Sequence, residues 1–584
     1  MAASGPATGA TAPPVAVPKQ AFSLALSSGA VFAVSLLVQL IGYAGNVLLQ
    51  KHFGVNNSGL ALLGTAQFFL LIASSINGIG DLRLGTAYTY FLARGKSATD
   101  NTTTYLFART AMVGVVGLVL FVIAPTSIAG GQIASPGVDL EAFGLFISLP
   151  IFWSFSTVYN QMFIGQGNSL KAQYPSLVEA TVRLPVLFYV AYYNPTILGI
   201  TFAYMVGAAS SAVYSLPAVW KHLSGWRSSE ATRMFRFAWP LMASLMLNYL
   251  VTNTVPLLIK IGVSAAAFSV FLIANGWRVL VLSLPGAVTT PLFPYFAGLH
   301  RQERYEAIRT GTWQALRYSA MLLVPGVVAL VVYRYNFLNV FATTNVANQG
   351  SLALALLAVG AVPLALSQII QSSINAIGRQ RLELYITSTQ IMVLLAGLAL
   401  LMPPWGPLQI HPGIVAGSVA ILASSFAALA MNSYFMETLI RVHIRPISIG
   451  GITASAAGAF SALYLLNHYH LFPVSSSYQL FAAVLIGFTV YFFVLAGIGE
   501  LTQEDVRRIG TSLGLPRRLV AGAARIPWRK RNPDLPPVDL ARAPGLRSTE
   551  LPETFTGNRE MPEISTLPEE VPPPEDSKNS GPLQ

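Results

Sequence analysis

Long apolar runs alternate with short polar segments along most of the chain. Runs of about twenty apolar residues, enough for a helix to cross the hydrocarbon core of a bilayer, recur at fourteen positions. They lie near residues 27–50, 59–80, 104–129, 142–165, 175–192, 196–220, 237–259, 264–288, 311–333, 351–374, 384–402, 413–436, 447–466 and 478–498. The pattern predicts an all-α, polytopic membrane protein with about fourteen transmembrane helices.

Basic residues are concentrated in alternate loops between these runs. The basic loops contain Arg83, Arg94 and Lys96; Lys171; Lys221, Arg227, Arg233 and Arg236; Arg301, Arg304 and Arg309; Arg379 and Arg381; Arg441 and Arg445. The intervening loops carry little more than Lys51, Lys260 and Arg334. Because basic residues in short loops stay on the cytoplasmic side, we expect a multi-pass protein of the cytoplasmic membrane with both termini in the cytoplasm.

An internal repeat suggests how the runs are grouped. "NVLLQKHFGVNNSGLALL" at 46–63 resembles "VPLLIKIGVSAAAFSVFL" at 255–272, with one gap and a shared lysine and Gly-Val. The copies are six runs apart and therefore enter the membrane in the same direction, a transporter architecture in which the substrate site lies between two lobes. Chance similarity between apolar helices is the alternative.

The repeat and the changes in composition predict five segments. They are a disordered N-terminal arm (1–21), an N-lobe of six spans (22–223), a C-lobe of six spans (224–445), two further spans (446–500) and a cytoplasmic tail (501–584). The tail is first basic, then acidic and rich in proline, so it has too few apolar residues to fold alone. Its basic part could contact anionic lipid headgroups, or it could serve only as an orientation signal.

Composition excludes several kinds of chemistry. The 584-residue chain has only 10% charged residues and no cysteine, so disulfides, thiolate metal sites and cysteine nucleophiles are absent. Seven scattered histidines form no evident metal cluster, and "GQGNS" lacks the lysine and hydroxyl residue of a phosphate-binding loop. We therefore expect no metal and no cofactor. Transport would use an ion gradient, the membrane potential or the cargo's own gradient, with the coupling ion, Na⁺ or H⁺, left open.

Arg278 lies inside the eighth apolar run. An arginine at the centre of a membrane helix costs about 2.5–3.5 kcal/mol on insertion scales and usually faces the bundle interior or a cavity. Its guanidinium could bind phosphate oxygens, or it could pair with helix carbonyls or a neighbouring carboxylate. Pro285, Pro291 and Pro294 follow, and they predict a helix that either bends during transport or ends near Pro291.

Other polar residues within or beside the runs are further candidates for the site. Amides that could line a cavity and bind sugar hydroxyls are Gln39, Asn46, Gln67, Asn77, Asn248, Asn253 and Asn275. The same chemistry serves hydrogen bonds between helices, at roughly 0.6 kcal/mol each. Candidates for gating or ion pairing are Lys51, Asp81, Arg83, Glu179, Arg183 and Lys260. Glu179 and Arg183 share one helix face and favour a local ion pair, although a coupling carboxylate is the alternative.

Several stretches, taken in order, resemble a known family. They are "KHFGVNNSGLALLGTAQFF", "GDLRLGTAYTYFLARGK", "RFAWPLMASLMLNYL", "AFSVFLIANGWRVLVLSLPGAVTTPLFPYFAGLHRQ" and "SINAIGRQRLELY". Over about Phe22 to Arg445 the chain is similar to polysaccharide-biosynthesis flippases, the polysaccharide-transporter branch of the multidrug/oligosaccharidyl-lipid/polysaccharide exporter superfamily. The resemblance implies two six-helix lobes, often with two extra C-terminal helices, around a central cavity that is commonly cationic. It also implies alternating access, and it places Arg278 where relatives often have a basic residue after a pair such as Ala274-Asn275.

The function predicted from the sequence is therefore transport of a polyprenyl pyrophosphate-linked oligosaccharide, not an enzymatic reaction. An ion-coupled drug or metabolite exporter of the same superfamily is the first alternative, but it would be expected to carry a buried carboxylate for cationic drugs. A membrane glycosyltransferase or ligase would need acidic residues in long outward loops, which are absent here, and the doubled architecture argues against a scaffold. Expected partners are the lipid-linked oligosaccharide, membrane lipids and glycan-assembly enzymes. We expect a monomer and no nucleic acid.

Overall fold

The computed structural model describes residues 18–500 except for a set of short gaps. The gaps are 94–97, 124–139, 167, 225–227, 250–254, 380, 403–405, 409–411, 441, 443–445, 470–473 and 475. Every regular element within the described residues is a helix. The first helix begins at Pro18, inside the segment predicted as a disordered arm, and the tail predicted for 501–584 lies outside the described residues.

The helices are numbered α1 to α18 in chain order. The first half contains α1 (Pro18–Phe53), α2 (Asn57–Ile79), α3 (Leu84–Ala93), α4 (Ala98–Ile123), α5 (Leu140–Gly165), α6 (Ser169–Ala172), α7 (Tyr174–Tyr193) and α8 (Ile197–Trp220). The second half contains α9 (Ser228–Tyr249), α10 (Val255–Gly262), α11 (Ala265–Arg301), α12 (Tyr305–Val332), α13 (Arg334–Phe341), α14 (Thr344–Ala376), α15 (Arg381–Leu401) and α16 (Gly413–Phe435), which continues as one π turn (Met436–Ile440). Two helices follow, α17 (Pro446–His468) and α18 (Ser477–Ile498).

Most of these helices are suited to a bilayer. Eleven described helices are long and apolar enough to cross a membrane, namely α2, α4, α5, α8, α11, α12, α14, α15, α16, α17 and α18. The other three predicted runs coincide with α1, α7 and the pair α9–α10. The prediction of an all-α, polytopic membrane protein is confirmed. The seventh run, predicted as one span, is described as two helices on either side of residues 250–254.

The two copies of the repeat lead into helices that start in the same way. The side chain of Asn56 accepts a hydrogen bond from the Gly59 amide at the start of α2. Ser264 does the same for the Ala267 amide at the start of α11. Both capping residues directly follow the shared Gly-Val, and each satisfies an amide that the first helical turn leaves without a backbone partner. The caps therefore agree with the register of the sequence repeat.

The two helices then differ. The first is interrupted, because α2 ends at Ile79, Leu82 and Arg83 adopt positive φ angles of 46° and 58°, and α3 begins only at Leu84. A positive φ is costly for any residue other than glycine, because Cβ then crowds the backbone. By contrast, α11 continues to Arg301 through all three of its prolines. The alternative that this helix ends near Pro291 is therefore wrong, and in a bundle the backbone groups that proline frees can be satisfied by neighbours.

The order of packing also repeats in the two halves. In the first half, α2 packs on α5, α5 on α8 and α8 on α7. In the second half, α11 packs on α14, α14 on α16 and α16 on α15. The equivalent helices α2 and α11 pack on each other across the middle, where Gly64 lies against the backbone of Ala265 and the rings of Phe68 and Phe268 are 6.1 Å apart. This pattern supports the predicted parallel repeat, with α17 and α18 packed on α12 outside it.

Candidate functional site

The interruption between α2 and α3 carries a buried ion pair. Arg109 of α4 is 1% exposed, and its Nη1 pairs with Oδ1 of Asp81. Its Nη2 donates to the side chain of Asn77 at 2.6 Å and to the hydroxyl of Thr157 at 3.2 Å. The hydroxyl of Tyr105 donates to Asp81 at 2.6 Å. Three helices, α2, α4 and α5, and the turn before α3 therefore meet at one guanidinium and one carboxylate.

This network changes how the acidic residue of the "GDLRLG" stretch should be interpreted. The carboxylate of Asp81 is bound by Arg109, a residue that the sequence interpretation overlooked, and not by Arg83 two positions away. Asn77, a candidate for sugar binding, accepts from the same guanidinium. Arg109 could have been found by the signal that marked Arg278, since each is a lone arginine inside an apolar run. What the sequence could not show was its partner.

A residue from the second half of the chain lies directly against this region. Tyr249, at the end of α9, packs directly on Gly78 of α2. A methyl group added at Gly78 would overlap the ring and hydroxyl of Tyr249. Gly85, after the interruption, is similarly close, since an added Cβ would lie 2.7 Å from the hydroxyl of Tyr105. The interruption is thus packed without space for larger side chains, and α9 covers it.

Two further arginines inside predicted runs are also paired with carboxylates. Nη1 of Arg183 lies 3.1 Å from Oε1 of Glu179 on the same face of α7, as the spacing in the sequence favoured. The guanidinium also lies 4.6 Å from the centre of the Tyr204 ring, a cation–π arrangement. Nε of Arg317, on α12, lies 3.5 Å from Oε2 of Glu500, just after α18. Arg317 was likewise overlooked in the sequence.

Arg278 is bound differently from these three. Its Nη1 donates to the side-chain oxygen of Asn275 at 3.1 Å, and no carboxylate lies within ion-pair distance among the described residues. Its Nε is buried without a hydrogen-bond partner in the described part of the chain. Trp277 beside it packs between Tyr43 of α1 and Phe337 of α13, with ring centres 4.7 and 5.0 Å away. Among the described residues this arginine therefore has no counter-charge, and the residue before it, Trp277, is fixed by aromatic side chains from both halves.

The remaining candidates are distributed over several places. Gln67 of α2 lies 3.5 Å from the hydroxyl of Ser269 on α11 and so joins the two halves. On α1, Asn46 is half-buried and Gln39 is exposed. Lys51 is exposed at the end of α1, and Lys260 is half-buried at the end of α10. The side chain of Asn248 and the whole of Asn253 lie outside the described residues.

Polar contacts also join the two halves where α2 and α14 begin. The hydroxyl of Thr343 donates to the backbone carbonyl of Gly54 at 2.7 Å. The side-chain amide of Asn345 donates to that of Asn57 at 3.2 Å. This end of the bundle is the end predicted to face away from the cytoplasm, and here the halves are in direct contact.

Comparisons with known proteins agree with this architecture. Residues 72–349 match the family described as polysaccharide biosynthesis protein. The chain is similar in structure to the lipid II flippase MurJ in an inward closed conformation, with 12% identity and a TM-score of 0.64 over 82% of this chain and 98% of that one. No curated protein sequence matches.

Multidrug transporters have the same fold. The chain is similar to an inward-facing multidrug resistance MATE family transporter of the MOP superfamily, with 13% identity and a TM-score of 0.55 over 69% of this chain and 94% of that one. It is also similar to a MATE structure in complex with MaL6, with 12% identity and a TM-score of 0.51 over 72% of this chain and 98% of that one. At identities this low, the structural similarity shows a common fold only.

The segment 72–349 contains the Asp81–Arg109 network, the Glu179–Arg183 pair and Arg278. The chain is therefore a multi-pass membrane protein with the fold of the lipid II flippase, and the segment 72–349, a little under half of its length, matches the family described as polysaccharide biosynthesis protein.

Proposed function

We propose that this protein is a flippase that moves an oligosaccharide, linked to a polyprenyl pyrophosphate, across the cytoplasmic membrane for assembly of a surface polysaccharide or glycan. Transport would proceed by alternating access between the two halves. The observation that carries the proposal is the charge of Arg278, which no carboxylate among the described residues balances. It lies in the second half of the chain, on a helix that packs directly against the first half.

The comparison of the four membrane arginines supports an anionic cargo. Arg109, Arg183 and Arg317 each have a carboxylate within ion-pair distance, whereas Arg278 has only an amide within the described residues. An uncompensated charge inside a membrane protein is costly and is usually retained for function. A guanidinium can form two parallel hydrogen bonds to phosphate oxygens. A pyrophosphate would supply the charge that this site lacks.

The same comparison of charges argues against a cationic drug as cargo. A cationic drug would need a free carboxylate in the cavity, but Asp81 and Glu179, the carboxylates of α2–α3 and α7, are both bound by arginines. The MATE structures show that the fold also serves multidrug transporters. The fold alone therefore does not select the cargo, and the charge at Arg278 favours the lipid-linked glycan.

The remaining features of the proposal follow from the sequence. The bias of basic residues supports cytoplasmic termini. The protein acts as a transporter, with no chemical step of its own, together with the enzymes that build and polymerise the glycan. We propose that it works as a monomer and without a cofactor, and that an ion gradient, the membrane potential or the gradient of the cargo drives it.

Reconstituted protein tests the proposal directly. Proteoliposomes would be loaded with a fluorescent polyprenyl pyrophosphate-linked oligosaccharide, and its exposure to an external lectin or glycosidase would be followed over time. We expect exposure in vesicles with the protein and not in protein-free vesicles. In cells, loss of the gene should trap the lipid-linked oligosaccharide on the cytoplasmic leaflet. Unchanged surface glycans together with new sensitivity to cationic dyes would instead support a drug exporter.

A further inference from the structure

A cavity that does not include Arg278 lies beside the end of α1, close to where polar contacts join the two halves. It has a volume of about 410 Å³ and is bounded by the last turns of α1, α7 and α13 and the first turn of α18. Its walls include Lys51, His52, Tyr192, Phe341 and Ser477. The cavity is therefore formed by both halves and by the last helix of the bundle.

The chemistry of this cavity suits an anion with an apolar neighbour. Lys51 is cationic, His52 can become so, and Ser477 offers a hydroxyl, while none of the described side chains in the lining is a carboxylate. The ring of His52 lies 5.8 Å from that of Tyr192. Val47 and neighbouring residues of α1 make the remaining wall apolar. A ligand with one phosphate and a hydrocarbon part would match both kinds of surface.

The surroundings place the cavity at the depth of lipid headgroups. The last turns of α7 carry Phe188, Tyr189, Tyr192 and Tyr193, which are between 54% and 75% exposed. Exposed tyrosines cluster where a membrane helix leaves the hydrocarbon core, because their rings are apolar and their hydroxyls are polar. Lys51 and His52 lie in the last turn of α1, at the same end of the bundle.

We propose that this cavity binds the phosphate-bearing headgroup of a membrane lipid in the leaflet that faces away from the cytoplasm. Lys51 and His52 contact the phosphate, Ser477 donates to it, and the apolar wall of α1 contacts the start of the acyl chains. Phe341 closes the cavity on the side of the second half and also packs on Trp277, with ring centres 5.1 Å apart. The site is therefore next to the aromatic cluster around Trp277, the residue before Arg278, but does not include that arginine.

A simpler role for these cations must be separated from lipid binding. Cations in the last turn of a helix interact favourably with its dipole wherever they occur. The chain supplies a matched control in Lys260, which aligns with Lys51 in the repeat and lies in the last turn of α10 but does not line the cavity. A role limited to the helix end predicts the same behaviour for both lysines, whereas a binding site predicts a difference.

The test uses the full-length protein purified in a neutral detergent. Binding of dioleoyl phosphatidic acid would be titrated by native mass spectrometry, with dioleoylglycerol, which lacks the phosphate, and inorganic phosphate as separate probes. We expect phosphatidic acid to bind and dioleoylglycerol to bind much more weakly. Lys51→Gln should lower the affinity about fivefold, the order expected for one basic residue near an anionic headgroup. His52→Gln should add to the loss, and Lys260→Gln should leave the affinity unchanged.

Three outcomes would overturn the proposal. The first is that dioleoylglycerol binds as tightly as dioleoyl phosphatidic acid. The second is that Lys260→Gln lowers the affinity for phosphatidic acid as much as Lys51→Gln does. The third is that inorganic phosphate binds as tightly as the lipid, which would make this a site for free phosphate. Melting temperatures would verify that the variants fold. If the charge variants fail to fold, Ser477→Trp fills the cavity without removing a charge and should also weaken binding. Because no transport is measured, the result is independent of whether the flippase proposal is correct.

Discussion

At the scale of single residues, Arg278 should act through its charge and its geometry together. Arg278→Lys should retain part of the transport because a point charge remains, whereas Arg278→Gln should weaken cargo binding about tenfold or more, the usual cost of losing a charge-assisted hydrogen bond. Arg278→Glu should abolish transport by repelling phosphate. The lectin-accessibility assay on equal amounts of reconstituted protein measures all three. Full transport by a well-expressed Arg278→Ala protein would exclude this residue as the phosphate anchor.

The Asp81–Arg109 pair should matter for stability before it matters for cargo. Arg109→Gln leaves the carboxylate of Asp81 without its charged partner, and breaking a buried pair from one side typically costs about 3–5 kcal/mol. We expect a clear drop in melting temperature for Arg109→Gln and for Asp81→Asn, with partial recovery in the double variant. Arg83→Gln is the control, because Arg83 has no ion-pair contact with Asp81. An equal loss from Arg83→Gln would contradict the assignment of the pair.

At the scale of helices, the close approach of α2 and α11 depends on Gly64. A Cβ at this position would overlap the backbone carbonyl of Ala265, which cannot rotate away as a side chain could. Small residues allow membrane helices to approach closely, and packing drives their association. Gly64→Ala should therefore lower the melting temperature and slow transport. Gly114→Ala on α4 is the matched control, since nothing lies within 4 Å of its added Cβ. Similar effects of both substitutions would show that the contact is not essential.

At the scale of the whole molecule, the alternation of basic loops predicts the orientation. A reporter fused after Gln584 and one inserted between Pro403 and Pro412 should report opposite sides of the membrane, since an odd number of predicted spans separates them. An insertion after Gly378, beside Arg379 and Arg381, should report the same side as Gln584. If the first two reporters lie on one side, the arrangement of fourteen spans is wrong.

The tail should be dispensable for transport. Deleting the chain from Pro533 onward removes a proline-rich, increasingly acidic segment with few apolar residues, which cannot form a core of its own. We expect normal insertion into the membrane and normal flipping by the shortened protein. Loss of membrane expression in this truncation, with normal expression of a truncation from Glu560 onward as the control, would show that the intervening residues have a structural or partner role.

The sequence by itself determined the membrane class and the positions of most long helices, and it indicated their repeat. Apolar runs of about twenty residues in a chain with so few charges indicate membrane spans. The alignment of the repeat also placed Asn56 and Ser264 at equivalent positions, which the structure shows to be helix caps. Arg278 was also found from the sequence, because a charge in an apolar run is conspicuous whatever surrounds it. The predicted end of the second run at residue 80 agrees with the end of α2 at Ile79, but the continuity of α11 through its prolines was not found from the sequence, because proline in isolation favours a break.

Only the tertiary structure decided which charges on different helices are balanced. Asp81 and Arg109 are 28 positions apart, and Arg317 and Glu500 are 183 apart, so no periodicity along the chain connects them. Membrane helices are apolar on all sides, and the pattern that reveals the buried face of a soluble helix is therefore weak here. The pairing of Arg109 and Arg317, and the lack of a carboxylate beside Arg278 among the described residues, follow from how the helices pack, whereas the pair of Glu179 and Arg183 on one helix was already indicated by its spacing. That packing is also what brings Lys51 and His52 into one cavity with α7, α13 and α18, while Lys260, the equivalent residue in the sequence, lies outside it.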